Sequence, residues 1–408
     1  MKVLMVNKFH YLKGGSEKYY FELADILKEN GHEVAFFSMD NEKNISTGEK
    51  EYFVEKIDLN TGSKLKAMEV IYSKKNYKKM LQAIDDFKPD IVHLNNFQRQ
   101  LSASVVKAAK KRNIPIVYTA HDLQAICPAI SMLDANNNVC TECMQGKYKN
   151  CFKKKCVKNS KLKSLLGSIE GKYYRRNKIY TNIINKIITP SFFYKDMLVK
   201  DGIPEDRVVG IHNFIKIEDY NIKTEDDGYA LYLGRLSKEK GIIKLIEAIS
   251  IAVEINDKIK LYIAGAGPEE EKIKEIIKDK KLENNVTMLG FLNQKEVKDY
   301  IRKASFLIIP SIWYENCPYS VLETQAIGKP IIGSNLGGIP ELVKDNENGI
   351  IYQYDDVNEL AYKIEELFKD KKLREKYSKN AKEYANKEYS KEAYYEKIIS
   401  VYKEIKGE

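Results

Sequence analysis

Two acidic residues eight positions apart, Glu315 and Glu323, follow an apolar run at Phe306–Ile309 that reads as a buried strand. Glu315 falls in the loop after that strand, and Glu323 falls within the next helix. Carboxylates so placed can accept hydrogen bonds from vicinal hydroxyls on two different groups, such as a sugar and a ribose. The helix start between them offers backbone N–H groups to an anion. Either glutamate alone would be interpreted as an ordinary surface residue.

The segment GRLSKEKG at 234–241 lies between a predicted strand and a predicted helix. Arg235 can form a forked pair of hydrogen bonds with phosphate oxygens, and Lys240 can add a point charge. Together they could hold a diphosphate and neutralise it as a leaving group, so no catalytic metal is expected. A solvated basic loop is the alternative, because the chain contains 68 Lys and Arg residues.

A glycine pair, Gly14 and Gly15, lies between the first strand and the first helix. Such a loop lets backbone N–H groups approach an anion, although a plain turn is the alternative. His121 follows a predicted strand at 115–119, at the sheet edge where doubly wound folds bind ligands. A histidine bonded only to its strand-end neighbours is the alternative there, and it is our interpretation of His93.

Strands and helices alternate along both halves of the chain, which predicts two Rossmann-like, doubly wound α/β domains that face a cleft. Ser16 is predicted to cap the helix over 17–30, and the acidic stretch 216–228 is predicted to be a linker. The predicted strands are 2–6, 32–39, 90–94, 115–119 and 186–189, then 230–233, 260–264, 286–289, 306–309 and 330–333.

Four cysteines occur at short spacings within 17 residues, at Cys140, Cys143, Cys151 and Cys156. Four thiolates suit tetrahedral Zn²⁺, and clustered cysteines in a cytosolic chain indicate metal before disulfides. We therefore predict a structural zinc site. Free or redox-active thiols are the second interpretation, and an iron–sulfur site or disulfides are the remaining alternatives. Cys127 is predicted to be a small buried residue outside the site.

The net charge of +10 is concentrated in residues 140–180, where twelve Lys and Arg face only Glu142 and Glu170. The other 367 residues are electrically balanced, so no nucleic-acid partner is expected. The segment KLKSLLGSIEGKYYRRNK places four apolar residues at helical spacing among these cations. Such a stripe suits an anionic membrane surface, contacted by residues 147–178, although packing on the domain is the alternative. The four are Leu162, Leu165, Leu166 and Ile169.

The N-terminus has a run of only four apolar residues, which is too short for a signal peptide. No window approaches the ~18–20 apolar residues of a membrane span. We therefore expect a cytoplasmic protein, either soluble or peripheral on the inner face of the plasma membrane.

These motifs, taken in order, resemble the family 4 retaining glycosyltransferases of the GT-B fold, also grouped as glycosyltransferase group 1. The resemblance rests on GGSE near the N-terminus, HD after IVYTA, GRLSKEKG, AGAGPEE at 264–270 and the Glu-x7-Glu element. The matching motifs extend from Gly14 to Glu341. Each motif is weak alone, whereas the ordered set is specific.

The resemblance implies a nucleotide-sugar donor, with UDP- and GDP-sugars as the candidates, and a role for each matching residue. Arg235 and Lys240 would bind the diphosphate, and Glu315 would contact the donor sugar. His121 would face the transferred sugar. The remaining donor-binding residues would be Gly14 and Gly15 at the phosphate, Asn316 and Cys317 at sugar and phosphate, Glu323 at the ribose, and Gly265, Gly267, Gly290 and Phe291 around the base.

One position departs from the resemblance. The family often has glycine where this chain has Pro318, and proline has no backbone N–H, so one contact to phosphate or sugar is lost. We expect this to shift the pose of the sugar without inactivating the site.

The resemblance implies transfer of a sugar, with retention of anomeric configuration, to a saccharide or lipid-linked saccharide acceptor in surface polysaccharide or glycolipid biosynthesis. A GT-B-fold nucleotide-sugar epimerase and a non-catalytic nucleotide-sugar-binding module are the alternatives. The expected domains are an acceptor-side domain at 1–212 with a Cys-rich basic insertion at 127–180, a donor-binding domain at 213–388, and a helix at 389–408 packing back on the first domain.

Overall fold

The computed structural model describes residues 1–57 and 64–408. Two compact units are present. The first comprises Met1–Ile211 together with Tyr394–Glu408, and the second comprises His212–Ala393. In the described part of the chain, no helix is long and apolar enough to cross a membrane.

The first unit is built on an all-parallel sheet that has seven strands within the described ranges, in the order β3-β2-β1-β4-β5-β6-β7. Its central strands are continuous apolar runs because helices cover both faces of a parallel sheet. Two of its strands, β3 and β7, were not predicted. The strands are β1 Lys2–Val6, β2 Glu33–Met39, β3 Lys50–Val54, β4 Ile91–Leu94, β5 Ile116–Thr119, β6 Lys186–Thr189 and β7 Val208–Gly210.

The first helix of the first unit starts one residue earlier than its predicted cap. The first helix begins at Gly15 with Gly14 as its N-cap, so the prediction of Ser16 as the cap is wrong. The Ser16 hydroxyl instead accepts a hydrogen bond from the Asn96 side-chain amide at 2.9 Å. The helices are α1 Gly15–Glu29, α2 Lys64–Glu69, α3 Lys74–Phe87, α4 Ser102–Lys111, α5 Lys149–Lys154, α6 Lys161–Arg176 and α7 Phe192–Lys200.

The second unit repeats the architecture with an all-parallel sheet of six strands in the described residues, ordered β10-β9-β8-β11-β12-β13. Apolar clusters cover both of its faces. The strand β13 was not predicted. The strands are β8 Ala230–Leu233, β9 Leu261–Ala264, β10 Val286–Gly290, β11 Phe306–Ile309, β12 Ile331–Ser334 and β13 Gly349–Tyr352.

The predicted linker at 216–228 is wrong, because this stretch belongs to the second unit. It contains a short 3₁₀ helix at Ile217–Tyr220, and Tyr220 is buried in the apolar core. The helices that follow are α8 Ile242–Ile255, α9 Glu270–Asp279, α10 Gln294–Lys303, α11 Tyr319–Ile327, α12 Ile339–Leu342, α13 Val357–Lys369, α14 Lys371–Glu388 and α15 Lys391–Lys406.

Most of α15 packs in the first unit. The Tyr402 hydroxyl lies 2.5 Å from Nδ1 of His93 in β4, and the Tyr394 hydroxyl lies 2.5 Å from that of Tyr19 in α1. All four side chains are buried. The helix α15 therefore contributes two tyrosine hydroxyls to the core of the first unit, which also contains Met1–Ile211.

Gly241 is required by a close approach between the loops that follow β8 and β11. Its φ is +70°, and a Cβ atom built on it would lie 1.8 Å from the backbone oxygen of Pro310. A side chain there would both strain the backbone and push the two loops apart.

We expect Gly241→Ala to lower the free energy of unfolding by about 3 kcal/mol, the sum of a left-handed backbone cost and a clash with backbone. Gly228→Ala is the matched control, because Gly228 has φ +73° but nothing within 4 Å of its Cβ position. The control should cost only about 1 kcal/mol. Equal losses in urea denaturation would contradict the close approach.

Candidate active site

An ion pair between half-buried Lys240 and buried Glu315 lies at the edge of the second sheet. Lys240 Nζ donates to Glu315 Oε1 at 2.6 Å, and the Ser311 hydroxyl donates to the same oxygen at 2.6 Å. Burial alone would raise the pKa of Glu315, but Lys240 and these hydrogen bonds hold that pKa below its ordinary value. Glu315 is therefore ionised at neutral pH and fixes the position of the Lys240 ammonium.

The backbone brings the two charges together. Lys240 ends a short 3₁₀ helix at Lys238–Lys240, just before Gly241. The backbone N–H of Ile312 donates to the carbonyl of Glu239 at 2.9 Å, which ties the loop after β11 to the loop after β8. The ion pair thus joins loops that backbone contacts have already placed side by side.

The Lys240 ammonium also lies over an aromatic ring, 5.1 Å from the centroid of Trp313. An ammonium has three donors, and Glu315 takes one of them. A lysine held by a carboxylate and a ring can still donate to the oxygens of a phosphate. The sequence motif identified Lys240 but gave no signal for Trp313 or Ser311 as its neighbours.

A cavity of about 320 Å³ opens beside the start of the GRLSKEKG loop. Arg235 and Gly265 line it, and the ring of Phe291 is 83% exposed at its wall. An aromatic face and apolar walls suit a flat heterocycle. The full lining is Leu233, Gly234, Arg235, Ala264, Gly265, Ala266, Phe291, Leu292 and Val297.

The predicted glycines around this cavity hold backbone segments together. The Gly265 N–H donates to the carbonyl of Gly290 at 2.7 Å, and a Cβ on Gly265 would lie 1.9 Å from the oxygen of Gly234. Gly267 packs against the backbone of Leu236 in the same way. Gly265, Gly267 and Gly290 thus lie at contacts between loops, and Gly265 also lines the cavity.

The second carboxylate of the Glu-x7-Glu element has a partner that sequence reasoning missed. Glu323, in α11, accepts a hydrogen bond from the Tyr220 hydroxyl at 2.9 Å. Tyr220 lies in the stretch 216–228, which was predicted to be a linker because its sequence has no sustained apolar pattern. The hydroxyl restrains the Glu323 carboxylate.

The residues between the two glutamates have separate environments. Asn316 is half-buried, and Cys317 is buried, with its carbonyl accepting from the Asn213 side chain at 3.2 Å. Burial raises the pKa of the Cys317 thiol to about 12, so it is neutral and suited to packing rather than nucleophilic attack. Pro318 is the N-cap of α11, consistent with the missing N–H noted above.

In the first unit, His121 follows β5 and is held by two neighbours. Its Nε2 lies 2.9 Å from Asn95 Oδ1, and its ring packs edge-on against Tyr19 at 4.9 Å between centroids. Burial, reinforced by the positive charge of Lys8, lowers the pKa of His121 to about 3. The imidazole is therefore neutral at physiological pH, with Asn95 placing its proton on Nε2.

A buried hydrogen-bond network lies next to this histidine. His93 Nε2 is 2.8 Å from the Thr119 hydroxyl, which is 3.0 Å from the Tyr19 hydroxyl. Tyr402 and Tyr394 of α15 complete the network. Burial lowers the pKa of His93 to about 3, so His93 is neutral, in agreement with its structural interpretation.

The glycine pair lies where a helix start meets the sheet edge. Gly14 is the N-cap of the fifteen-residue α1, and no side chain of the described residues caps it there. A Cβ on Gly14 would meet only Glu17 Oε2, at 3.8 Å. The start of α1 therefore presents backbone N–H groups beside Gly14, at the same sheet edge as the loop that carries His121.

The structure does not support the predicted zinc site. Cys143 and Cys151 pack with Tyr148 in a small buried cluster, with Cys156 partly buried against it. Burial raises the pKa values of Cys143 and Cys151 to about 12. Among residues 1–57 and 64–408, no three His, Cys, Asp or Glu side chains are arranged to hold a metal ion.

The cysteines behave as small apolar residues in the described structure. All six are free thiols. Cys127 is buried as predicted, and burial raises its pKa to about 11. Cys140 is half-buried at the margin of the insertion. Spacing alone suggested metal, because the sequence could not show that Cys143 and Cys151 pack with Tyr148 in a small buried cluster.

Two doubly wound sheets with anion-suited loops at their carboxyl edges define a glycosyltransferase of the GT-B class, and comparison with known families agrees. Residues 13–219 match the family described as Glycosyltransferase Family 4, and residues 214–384 match Glycosyl transferases group 1. The first match alone covers half of the chain. The chain belongs to glycosyltransferase family 4, as its motifs predict.

Curated relatives support this assignment over part of their length. The chain is 30% identical over 187 residues to the amylovoran biosynthesis glycosyltransferase AmsK of Erwinia amylovora, covering 43% of this chain and 46% of the relative. It is 26% identical over 200 residues to a poly(ribitol-phosphate) alpha-N-acetylglucosaminyltransferase of Staphylococcus aureus, covering 48% and 40%. The chain spans about half to two-thirds of the first curated relatives, with values of 55%, 65% and 47%.

Solved structures match over the whole chain. HepE of Anabaena, solved in complex with UDP-glucose, superposes with a TM-score of 0.69 at 17% identity, covering 98% of this chain and 99% of that protein. At this identity the likeness establishes the fold alone. It confirms the predicted GT-B architecture.

We expect Lys240→Ala to lower the free energy of unfolding by about 3 kcal/mol at neutral pH, because it leaves a buried carboxylate unpaired. Without Lys240, burial raises the pKa of Glu315 instead of being outweighed. The paired carboxylate stabilises the wild type above its unfolded-state pKa, whereas the unpaired one destabilises the variant there. The loss should therefore be larger at pH 7 than at pH 4 in denaturant titrations.

Lys274→Ala is the control for this prediction. Lys274 pairs with Glu270 and Glu271 on an exposed helix face at 3.0 and 2.8 Å. Surface pairs contribute little to stability, so the control should unfold like the wild type at both pH values. A pH-independent loss in Lys240→Ala would contradict a buried, ionised Glu315.

Proposed function

We propose that the protein transfers a sugar from a nucleotide-sugar donor to a saccharide or lipid-linked saccharide acceptor, with retention of anomeric configuration, in surface polysaccharide or glycolipid biosynthesis. The observation that carries the proposal is the Lys240–Glu315 pair, in which Lys240 lies on the same loop as Arg235, beside a cavity suited to a base. The polymer-related names of the Erwinia and Staphylococcus relatives support the acceptor class.

The donor would bind along the second unit. The base would stack on Phe291 in the 320 Å³ cavity, and the ribose hydroxyls would donate to the Glu323 carboxylate that Tyr220 restrains. Arg235 and Lys240 would hold the diphosphate between them. HepE was solved with UDP-glucose, so a UDP-sugar is the first donor to test, followed by GDP-sugars.

The leaving group would depart under electrostatic stabilisation. The bond from the anomeric carbon to the phosphate oxygen breaks, and the negative charge on the diphosphate grows beside Arg235 and Lys240. Fixed cations aimed at developing charge are often the largest catalytic contribution. The backbone N–H groups at the start of α1, next to Gly14 and Gly15, would add positive potential on the acceptor side.

Retention would follow if the acceptor oxygen attacks the anomeric carbon on the same face from which the phosphate departs. The acceptor oxygen bonds to the anomeric carbon, and its proton passes to a phosphate oxygen of the departing diphosphate. Glu315 is committed to Lys240 and Ser311, and His121 is neutral with its pKa near 3, so neither is suited to be a general base. His121 would instead hydrogen-bond a hydroxyl of the transferred sugar, held in place by Asn95.

A donor-panel assay tests the proposal against its alternatives. UDP-, GDP- and ADP-sugars are incubated with the protein, with and without saccharide acceptors, and nucleotide and sugar products are measured. Slow donor hydrolysis is expected, accelerated by an acceptor that becomes glycosylated with the same anomeric configuration as the donor. Epimerised free sugar from donor alone would indicate an epimerase, and tight binding of one donor without turnover would indicate a binding module.

We expect Glu323→Ala and Lys240→Ala each to reduce transfer roughly 100-fold, because one loses the ribose contact and the other a charge at the diphosphate. Circular dichroism at the assay temperature would show that both remain folded. Lys238→Ala is the matched control, since Lys238 lies on the same loop but is exposed. Wild-type turnover in both variants, or equal losses in all three, would refute the site assignment.

The acceptor class also bears on location. A lipid-linked acceptor is presented at a bilayer, and nucleotide sugars are cytoplasmic substrates. The protein would therefore work in the cytoplasm as a peripheral protein on the inner face of the plasma membrane, with residues 147–178 toward the lipid.

A further inference from the structure

The insertion in the first unit exposes an apolar stripe along α6. Leu162, Leu165 and Ile169 are 77%, 40% and 45% exposed, and they share one face of the helix because they are three and seven residues apart. Phe152 of the neighbouring α5 adds a ring that is 38% exposed. These four side chains are called the α6 stripe below.

The stripe is not needed to hold α6 in place. The helix packs on the unit through its opposite face, where Ser164, Ser168 and Tyr174 are buried. Twelve large apolar side chains are exposed among the described residues, and four of them form the α6 stripe. The alternative that the stripe packs on the domain is therefore wrong for Leu162, Leu165 and Ile169.

Positive charge surrounds the stripe with little to neutralise it. Of the two acidic residues in 140–180, Glu142 pairs with Lys154 at 2.5 Å and Glu170 is buried. Six further lysines on α5, on α6 and in the loop between them are exposed, namely Lys149, Lys153, Lys155, Lys158, Lys161 and Lys163. The surface thus combines uncompensated cations with exposed hydrocarbon.

A groove of about 210 Å³ runs along the next face of α6. Its walls mix the apolar side chains of Val157 and Leu166 with three cations and one carboxylate, which are Lys158, Lys163, Arg99 and Glu170. Arg99 has a positive φ of 68°, a conformation that is uncommon for a residue with a side chain, and its guanidinium lies 3.7 Å from buried Glu170. Cations beside hydrocarbon suit a phosphate that is attached to a lipid chain.

We propose that this surface binds the anionic phospholipid bilayer directly. The α6 stripe enters the boundary between headgroups and acyl chains, the surrounding lysines contact lipid phosphates, and one headgroup phosphate enters the groove at Lys158 and Lys163. This inference rests on the proposed function, in which the acceptor is linked to a lipid. Binding to the bilayer can nevertheless be measured without a sugar donor and without sugar transfer.

The stripe favours a bilayer over nucleic acid. A nucleic acid would use the cations and would leave Leu162 and Ile169 in water, whereas a bilayer removes both side chains from water. The remaining chain is electrically balanced, so it would not extend a nucleic-acid track beyond this segment.

Vesicle sedimentation of the full chain tests the proposal. Vesicles of phosphatidylcholine alone are compared with vesicles that also contain phosphatidylglycerol, at low and at high salt. The wild type should bind the anionic vesicles at least tenfold more strongly, and the binding should weaken as salt rises. The double variant Leu162→Glu/Leu165→Glu should lose at least tenfold of that binding.

Two controls make the result specific. Ile255→Glu changes a residue that is 50% exposed in the second unit, and it should bind vesicles like the wild type. Donor hydrolysis in solution should be unchanged in the double variant, which separates this proposal from the proposed function. Wild-type binding by the double variant, no preference for anionic vesicles, or tight binding of a single-stranded oligonucleotide without vesicle binding would each overturn the proposal.

Discussion

The contact between two loops determines the chemistry of the second unit. The N–H of Ile312 bonds to the carbonyl of Glu239, and Gly241 fits against Pro310 because it has no side chain. These backbone contacts alone are sufficient to place Lys240 beside Glu315. The ion pair then keeps the buried carboxylate charged and the ammonium stationary. A cation that is already in position when negative charge develops stabilises the transition state without a cost of reorganisation.

The first unit follows the opposite electrostatic plan. His121 is half-buried and His93 is buried, and both are neutral, with pKa values near 3. The hydroxyls around His93 are linked in one network. Tyr19 connects the network to the His121 ring through an edge-on contact. A satisfied polar network of this kind fixes orientation without adding charge. One unit thus supplies fixed charge, and the other supplies fixed neutral hydrogen-bonding groups.

Local patterns predicted much of the fold, and long-range contacts explain what they missed. The buried strands were visible because parallel strands read as continuous apolar runs, while β3, which is mostly half-buried, and the three-residue β7 gave weaker signals. Lys240 and Glu315 were identified by motif, but their pairing depends on loops 75 residues apart in sequence. Tyr220 looked like linker because its partner, Glu323, is 103 residues away. The cysteines misled because spacing cannot show that Tyr148 packs among them.

The route of α15 has a consequence for how the protein is made. The hydroxyls of Tyr394 and Tyr402 complete buried hydrogen bonds in the unit that starts at Met1. Domains generally fold in order as they leave the ribosome, N-terminal first. Here the first unit emerges before the second but lacks two of its internal hydrogen-bond partners until residues 394–402 have been synthesised. The part of the chain that is made first therefore completes its buried hydrogen bonds only after the whole second unit has been made, and removal of Tyr394–Glu408 would leave the first unit without both hydroxyls.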